Sequence, residues 1–247
     1  MLNAVVIPIY NEAATIRGVV EKSLKYTSMV IVVDDGSTDN SKQQLAGLNV
    51  TLLQNAQNMG KGFSLQRGLQ HAFSQGAQTA ITLDGDGQHN PDEIPKVLET
   101  ALSNPGRIII AARLRNRESA PKLRLFANNF ADFWVSWAAG YPIVDSQSGF
   151  RLYPDKVIEL LHLQINKAKC FVFESEILIE AAQHKIYSIS VPVESIYHEG
   201  SRASHYRPWT DTSRIVRMIA GRLIRHGLYF KGLLQAVHLL PDPRKAE

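Results

Sequence analysis

Cysteine is nearly absent: Cys170 is the only one in 247 residues. A lone thiol closes no internal disulfide and builds no structural zinc site, which excludes a disulfide-framed secreted scaffold and points to a reducing compartment. Cys170 itself reads as a buried thiol. Long hydrophobic runs are missing too, with no stretch of about 18 or more apolar residues, so a membrane-spanning helix is not expected. The opening segment Met1 to Tyr10 has neither a basic leader nor a small-residue cleavage pattern, so no signal peptide is expected and the chain reads as cytoplasmic. There is no internal repeat, no low-complexity linker, and no zinc-finger, helix-turn-helix or RNA-stacking signature. The net charge of +4 therefore implies no nucleic-acid partner.

What is there is an ordinary globular composition, 45% apolar and 20% charged, over a length that suits one large α/β domain. The charge is uneven, because residues 201–247 hold nine Lys/Arg against three Asp/Glu. We therefore expect a catalytic domain over 1–208 and a basic amphipathic helical tail over 209–247. In that tail Ile215, Ile219, Leu223, Phe230 and Leu234 share one helical face, while Arg214, Arg222 and Arg225 gather on another. Such a segment suits either a membrane interface with anionic head groups or packing against the domain. Gly221, Gly227 and Gly232 weaken a single continuous helix.

Short β-branched runs at 4–9 and 29–33 predict strands covered on both faces of a mostly parallel sheet. Further strands are expected at 50–53, 79–83, 108–112 and 186–193. Helices are expected at 12–25, 39–46, 60–74, 91–102, 126–139 and 174–184, which gives a Rossmann-like βαβ alternation. Asn90 before Pro91, with Glu93 following, marks a capped helix start.

The chemistry gathers at strand ends. Strand 79–83 runs into Asp84-Gly-Asp86-Gly-Gln88-His89. Carboxylates two residues apart on extended backbone project to one side, an arrangement suited to Mg2+ or Mn2+ bridging a diphosphate. An EF-hand is excluded, because Gln88 and His89 stand at its fifth and sixth positions and Pro95 at its twelfth. A solvated Asp/Gly turn is the plainer reading of the tetrapeptide alone. Two other strand ends, Pro8-Ile-Tyr10-Asn11-Glu12 and Asp34-Asp35-Gly36-Ser37-Thr38-Asp39, should meet it at one crevice, since ligands in open α/β sheets bind beyond the carboxyl ends of the strands. Lys61, between Gly60 and Gly62, suits a neighbouring phosphate or main-chain packing. The surrounding residues form no Walker loop, and no GxGxxG follows the first strand, so a dinucleotide oxidoreductase is not expected. His89 and His205 read as neutral hydrogen-bonding side chains, with no second ligand at metal spacing.

In order and spacing, PIYNE, DDGSTD, NMGKG, DGDGQ and SGFRL resemble the family 2 glycosyltransferases of GT-A fold, most closely the dolichol- or polyprenyl-phosphate mannose and glucose synthase branch. The resemblance runs from about Ala4 to Val193. It implies that Pro8, Tyr10, Glu12 and Asp35 hold the nucleoside, and that Asp84 and Asp86 bind the metal and diphosphate with Gln88 as a supporting ligand. Ala112-Arg113 stands at the family's Ser-Arg motif, Arg124 at its later substrate-side arginine, and Asn128 where a serine is usual. The segment Glu199–Pro208 occupies its basic loop, where His205 replaces a lysine and Arg202 and Arg207 supply fixed charge. Their guanidinium forks suit the donor diphosphate or a lipid phosphate.

The implied activity is metal-dependent, inverting transfer of a hexose from a UDP- or GDP-sugar to a membrane-associated acceptor, first a polyprenyl phosphate. A phosphate acceptor is already ionised and needs no strong base, whereas a glycan or glycolipid hydroxyl needs a carboxylate. For that alternative Asp145 and Glu176 are the candidates, with Glu174 nearby, and Asp86 and Arg113 complete the expected catalytic set. Asp145 reads equally as a cap and Glu174 as a helix-start carboxylate. Outside catalysis, a sugar-nucleotide binding module is the remaining alternative. The tail gives a possible membrane surface as a further partner.

Overall fold

A computed structural model describes residues 2–114, 122–162, 173–194, 208–225 and 227–245. Seven strands form one sheet: β1 (Asn3–Ile9), β2 (Met29–Asp34), β3 (Thr51–Gln54), β4 (Thr79–Thr82), β5 (Ile108–Ala112), β6 (Arg151–Pro154) and β7 (Ser188–Pro192). Their order is β3-β2-β1-β4-β6-β5-β7, and only β6 runs antiparallel to its neighbours. The order reverses between β1 and β4, so the loops leaving these strands diverge and open a crevice at their carboxyl ends.

The helices are α1 (Ile16–Ser23), α2 (Lys61–Ser74), α3 (Ile94–Ser103), α4 (Lys122–Ala139), α5 (Phe173–Gln183), α6 (Pro208–Arg225) and α7 (Phe230–Ala236). Strand periodicity of two decides which layer each residue joins. On β1, Ala4 and Val6 face Leu65 and Leu69 of α2, while Val5, Ile7 and Ile9 face Ile16 and Val20 of α1 and Ile94 and Val97 of α3. Each such side chain, once fully buried, contributes about 1.5–3 kcal/mol relative to exposure. Ile219 and Leu223 of α6 and Val135 of α4 join the first layer, so part of the tail packs on the domain.

The expected strands all form, and the main departures have local causes. The helix expected at 39–46 shrinks to a 3-10 turn over Gln43–Leu45. Its would-be first turn is spent elsewhere: Ser37 and Ser41 hydroxyls accept from Asn11 and Glu12 backbone N–H groups, and Asp39 accepts from Ala13. Such short polar side chains compete with helical bonding. β6 is absent from the expected elements because it is four residues long and contains both a charged residue and a proline. The tail breaks where its glycines suggest, with Leu228 and Tyr229 at φ 64° and 38° between α6 and α7. Asn90 caps as expected, its side chain accepting from Asp92 N–H at 3.2 Å.

Candidate functional site

The loop after β1 and the loop after β2 are stitched together by short polar side chains. Asn11, at φ 60°, receives Thr38 N–H on its carboxamide oxygen at 2.8 Å. Thr15 donates its hydroxyl to the Gly85 carbonyl at 2.6 Å, which ties the β1 loop to the Asp84–Gln88 loop. Pro8 is buried within β1 beside Val33, and Tyr10 and Glu12 stand half-buried at the strand's end. Asp35 is only 4% exposed, and its carboxylate points into the fold. It accepts from Asn55 at 2.7 Å, Met59 N–H at 2.9 Å and Gly60 N–H at 2.8 Å. The second aspartate of the DDGSTD run thus shapes the loop before α2. That loop ends at Gly60, whose φ of 95° and ψ of 152° is a conformation essentially reserved to glycine.

Lys61, the first residue of α2, sits between two carboxylates. Its Nζ lies 2.6 Å from Asp84 Oδ1 and 2.9 Å from Glu174 Oε1. Burial pulls the ammonium pKa down, but the two carboxylates outweigh it and hold it above the ordinary lysine value. Burial likewise opposes ionisation of Asp84, yet the Lys61 charge and the bond from His89 hold its carboxyl far below the usual range. His89 Nε2 is 3.5 Å from Asp84 Oδ2, and its ring meets Phe150 edge-on. Its Nδ1 is buried without a hydrogen-bond partner. Gly149 completes the pocket: a Cβ there would lie 2.6 Å from Asp84 Oδ2, so only glycine lets β6 approach the carboxylate. Asp86 is half-buried and accepts from Gln88 N–H at 3.0 Å, which folds the loop back on itself.

The far side of the crevice is held by ion pairs. Arg113, just beyond β5, grips Asp145 with Nε at 2.9 Å and Nη2 at 2.6 Å, while its own N–H donates to Asp145 at 2.8 Å. Asp145 sits at φ 56° and is buried. Burial opposes its ionisation, but Arg113 wins and keeps the carboxyl below its ordinary value. Asp132 of α4 fixes the same loop, accepting from Asp145 N–H at 2.9 Å and Ser146 N–H at 2.7 Å. Arg151 is fully buried and donates to the carbonyls of Ser146 at 2.7 Å, Ser148 at 2.8 Å and Glu174 at 2.6 Å. It clamps the 146–148 turn to the start of α5.

Glu176 faces α6, where its carboxylate accepts from Arg222 at 2.8 Å, and Glu180 shares the same guanidinium at 2.6 Å. Glu174, two residues earlier, reaches Lys61 instead. The cause is helical geometry, which rotates side chains by roughly 100° per residue, so the two point to opposite faces. Arg222, expected among the outward cations of the tail, is therefore an internal tie between α6 and α5. It also lines a cavity of about 340 Å³ with Ala138, Ile179 and Tyr229, remote from the Asp84 loop in its lining. Arg202, Arg207, His205 and Cys170 lie outside the described residues, as does the side chain of Arg124.

The residues missed by sequence reasoning are Asp132 and Arg151, which position the loop, and Lys61 as a partner of Glu174. An arginine inside the otherwise apolar run Phe150–Tyr153 was the available signal, since a charge in a buried strand demands partners.

The donor set fits a hard divalent cation. Asp86, Gln88 and Asp84 offer oxygen ligands on one short loop, and Lys61 neutralises Asp84, leaving Asp86 as the carboxylate with most charge to give. Among the described residues no cluster of three or more His, Cys, Asp or Glu forms a self-sufficient cage. An ion bound here would take its remaining ligands from a diphosphate and water, as Mg2+ and Mn2+ commonly do.

A mostly parallel sheet with this switch point and an acidic loop after β4 matches the GT-A fold of solved glycosyltransferases. A solved glucosyl-3-phosphoglycerate synthase of Mycobacterium tuberculosis, in complex with Mn2+, UDP and glucosyl-3-phosphoglycerate, shares this fold at a TM-score of 0.59 and 19% identity, over 91% of this chain and 79% of its own. Residues 4–159 match the profile of Glycosyl transferase family 2, and the chain belongs to that family. It is a glycosyltransferase. It is 33% identical to a UDP-N-acetylglucosamine–dolichyl-phosphate N-acetylglucosaminyltransferase of Methanococcus voltae, over 80% of this chain and 87% of the relative. It is 25% identical to a polyprenol monophosphomannose synthase of Mycolicibacterium smegmatis, over 76% of this chain and 75% of that one.

Proposed function

We propose that this enzyme transfers a hexose-type sugar, with inversion, from a UDP- or GDP-sugar to a polyprenyl phosphate at a membrane surface, using Mg2+ or Mn2+. The supporting observation is the state of the carboxylates. Asp145 is gripped by Arg113, Glu176 by Arg222, and Asp84 and Glu174 share Lys61. Asp84 and Asp145 are held below the ordinary carboxyl range by these cations, which makes both poor proton acceptors. Such a crevice suits an acceptor that arrives already ionised, and a phosphate monoester, with a second pKa of about 6, does so at neutral pH.

Asp86, with Gln88 and Asp84, would hold the ion, which would supply Lewis-acid neutralisation of charge on the nucleoside diphosphate. Lys61 keeps Asp84 ionised and oriented. Pro8, Tyr10 and Glu12 form the wall for the nucleoside, and Asp35 fixes the loop beside it. Arg113 contributes fixed positive charge on the acceptor side, and Arg202 supplies a further phosphate-gripping guanidinium. Residues 1–208 form the catalytic unit, and the tail 209–247 brings it to the cytoplasmic face of a membrane. Of the two relatives named above, one acts, by name, on dolichyl phosphate and the other makes polyprenol monophosphomannose, which favours the same acceptor class. UDP-N-acetylglucosamine is accordingly the first donor to try.

Mass spectrometry of products from several UDP- and GDP-sugars, offered with a short-chain polyprenyl phosphate and a glycolipid hydroxyl, tests this. Sugar on the lipid phosphate is the expected product. Sugar found only on the hydroxyl would reject the reading.

A further inference from the structure

Large apolar side chains are exposed unevenly over the described residues. Nine of the fourteen that stand out lie on α4 or between residues 224 and 240. On α4, Phe130 and Phe133 are 40% and 42% exposed and form a ladder of ring contacts with Trp134 and Trp137. Trp134 and Trp137 stack at 5.2 Å, and the buried Trp134 Nε1 has no hydrogen-bond partner. The second strip abuts the first, because Trp137 Nε1 donates to the Leu228 carbonyl at 3.0 Å. Gly232 lets α7 lie this close, since a Cβ there would meet the Trp137 carbonyl at 2.8 Å. Phe230 is 61% exposed and Leu239 72%.

The charge beside this surface has one sign. Residues 227–241 contain Lys231 and no Asp or Glu; of the seven Lys/Arg in 208–245, Arg222 is paired with Glu176 and Glu180 and Arg244 with Asp242. The one acidic side chain on α4, Asp132, is turned inward to the Asp145 loop. Exposed aromatic and aliphatic side chains beside Lys231, in a stretch without carboxylates, match a bilayer interface, where indole and phenyl rings sit at head-group depth and anionic lipids attract the cation. Two copies packed face to face through the same patch would instead bring like charges together.

We propose that the outer face of α4, continued by α7 and residues 237–240, is a bilayer-contacting surface that sets the crevice against anionic lipid. The inner face of the same helix carries Asp132, so the crevice lies about one helix diameter, roughly 10 Å, from the lipid boundary. A membrane-anchored phosphate reaches the Arg113 side without leaving the head-group layer. This part rests on the polyprenyl-phosphate reading; the surface itself does not.

The test compares the wild type with F130S/F133S and with F230S/L234S, by sedimentation with vesicles of phosphatidylcholine alone or mixed with phosphatidylglycerol, and by transfer to a short-chain polyprenyl phosphate in solution. The wild type should bind, and bind mixed vesicles more tightly. Both variants should lose vesicle binding by about tenfold or more, which is the scale expected from losing two buried aromatic or aliphatic anchors. Transfer to the soluble acceptor should stay within about twofold of wild type, because no mutated side chain lines the crevice. Wild-type indifference to vesicles, or variants that sediment like wild type, would overturn the proposal. A wild-type dimer abolished by the same substitutions would overturn it in favour of a second copy as the occupant. Vesicle binding lost as expected, with no sugar ever reaching a lipid phosphate, would uphold the surface and reject only the acceptor reading.

Discussion

The two walls of the crevice are built by different means. The donor wall, made of the loops after β1, β2 and β4, is held by hydrogen bonds between backbone groups and short side chains such as Asn11, Thr15, Ser37 and Ser41. The opposite wall is held by full charges paired across long sequence distances: Arg113 with Asp145 and Lys61 with Glu174. The first construction leaves the Asp84–Gln88 loop, with Asp86 half-buried in it, tied to the β1 loop through Thr15. The second consumes its own carboxylates. On the proposed reading the first wall meets the nucleoside diphosphate, and the second, its carboxylates already paired, offers no spare base to the acceptor.

The sharpest break of that division is at Asp86. D86A should reduce kcat/KM by about a thousandfold, the several kcal/mol that a lost Lewis acid represents, and should abolish Mn2+ binding by paramagnetic titration while leaving the melting temperature in place. Next comes the one point where the second wall touches the first. G149A places a methyl group against the Asp84 carboxylate, and the displaced side chain should cost about a hundredfold in turnover.

D145N should be milder if the acceptor is a phosphate, lowering kcat/KM by about tenfold through loss of Arg113 orientation alone. A hydroxyl acceptor needing Asp145 as base would raise that loss towards about ten-thousandfold. The same variant has a pH signature. Asp145 is held below its unfolded pKa of about 3.9, so its stabilisation is complete only well above that value and disappears as pH falls through the folded value. Urea titrations should therefore show the wild-type advantage over D145N shrinking steadily as the pH is taken down from about 5. E176Q should matter least, changing turnover by under about threefold, because it weakens a partly exposed pair between α5 and α6.

The same contrast explains what could be read in the sequence. Five of the seven strands follow β-branched runs, β7 follows the sixth expected run, and the glycine-flanked motifs of the donor wall are contiguous, so local pattern suffices. The opposite wall depends on which side chain meets which across 32 or 113 positions of chain, and periodicity carries no such information. Glu174 and Glu176 show the difference well. Both sit in one hexapeptide of plain acidic character, yet one joins the crevice and the other a neighbouring helix, and only the phase of α5 separates them. Asp35 is a similar case: its place at a strand end was legible, while the inward turn of its carboxylate onto Met59 and Gly60 was not.

The central claim is that Asp86 fixes a divalent ion against the diphosphate of an activated sugar. Calorimetric titration of UDP and GDP into wild type and D86A, each with Mn2+ and then with chelator, measures it directly. The account predicts that Mn2+ tightens wild-type binding of one of them by about tenfold or more and leaves D86A unchanged. Equal affinity with ion and with chelator in the wild type would contradict it.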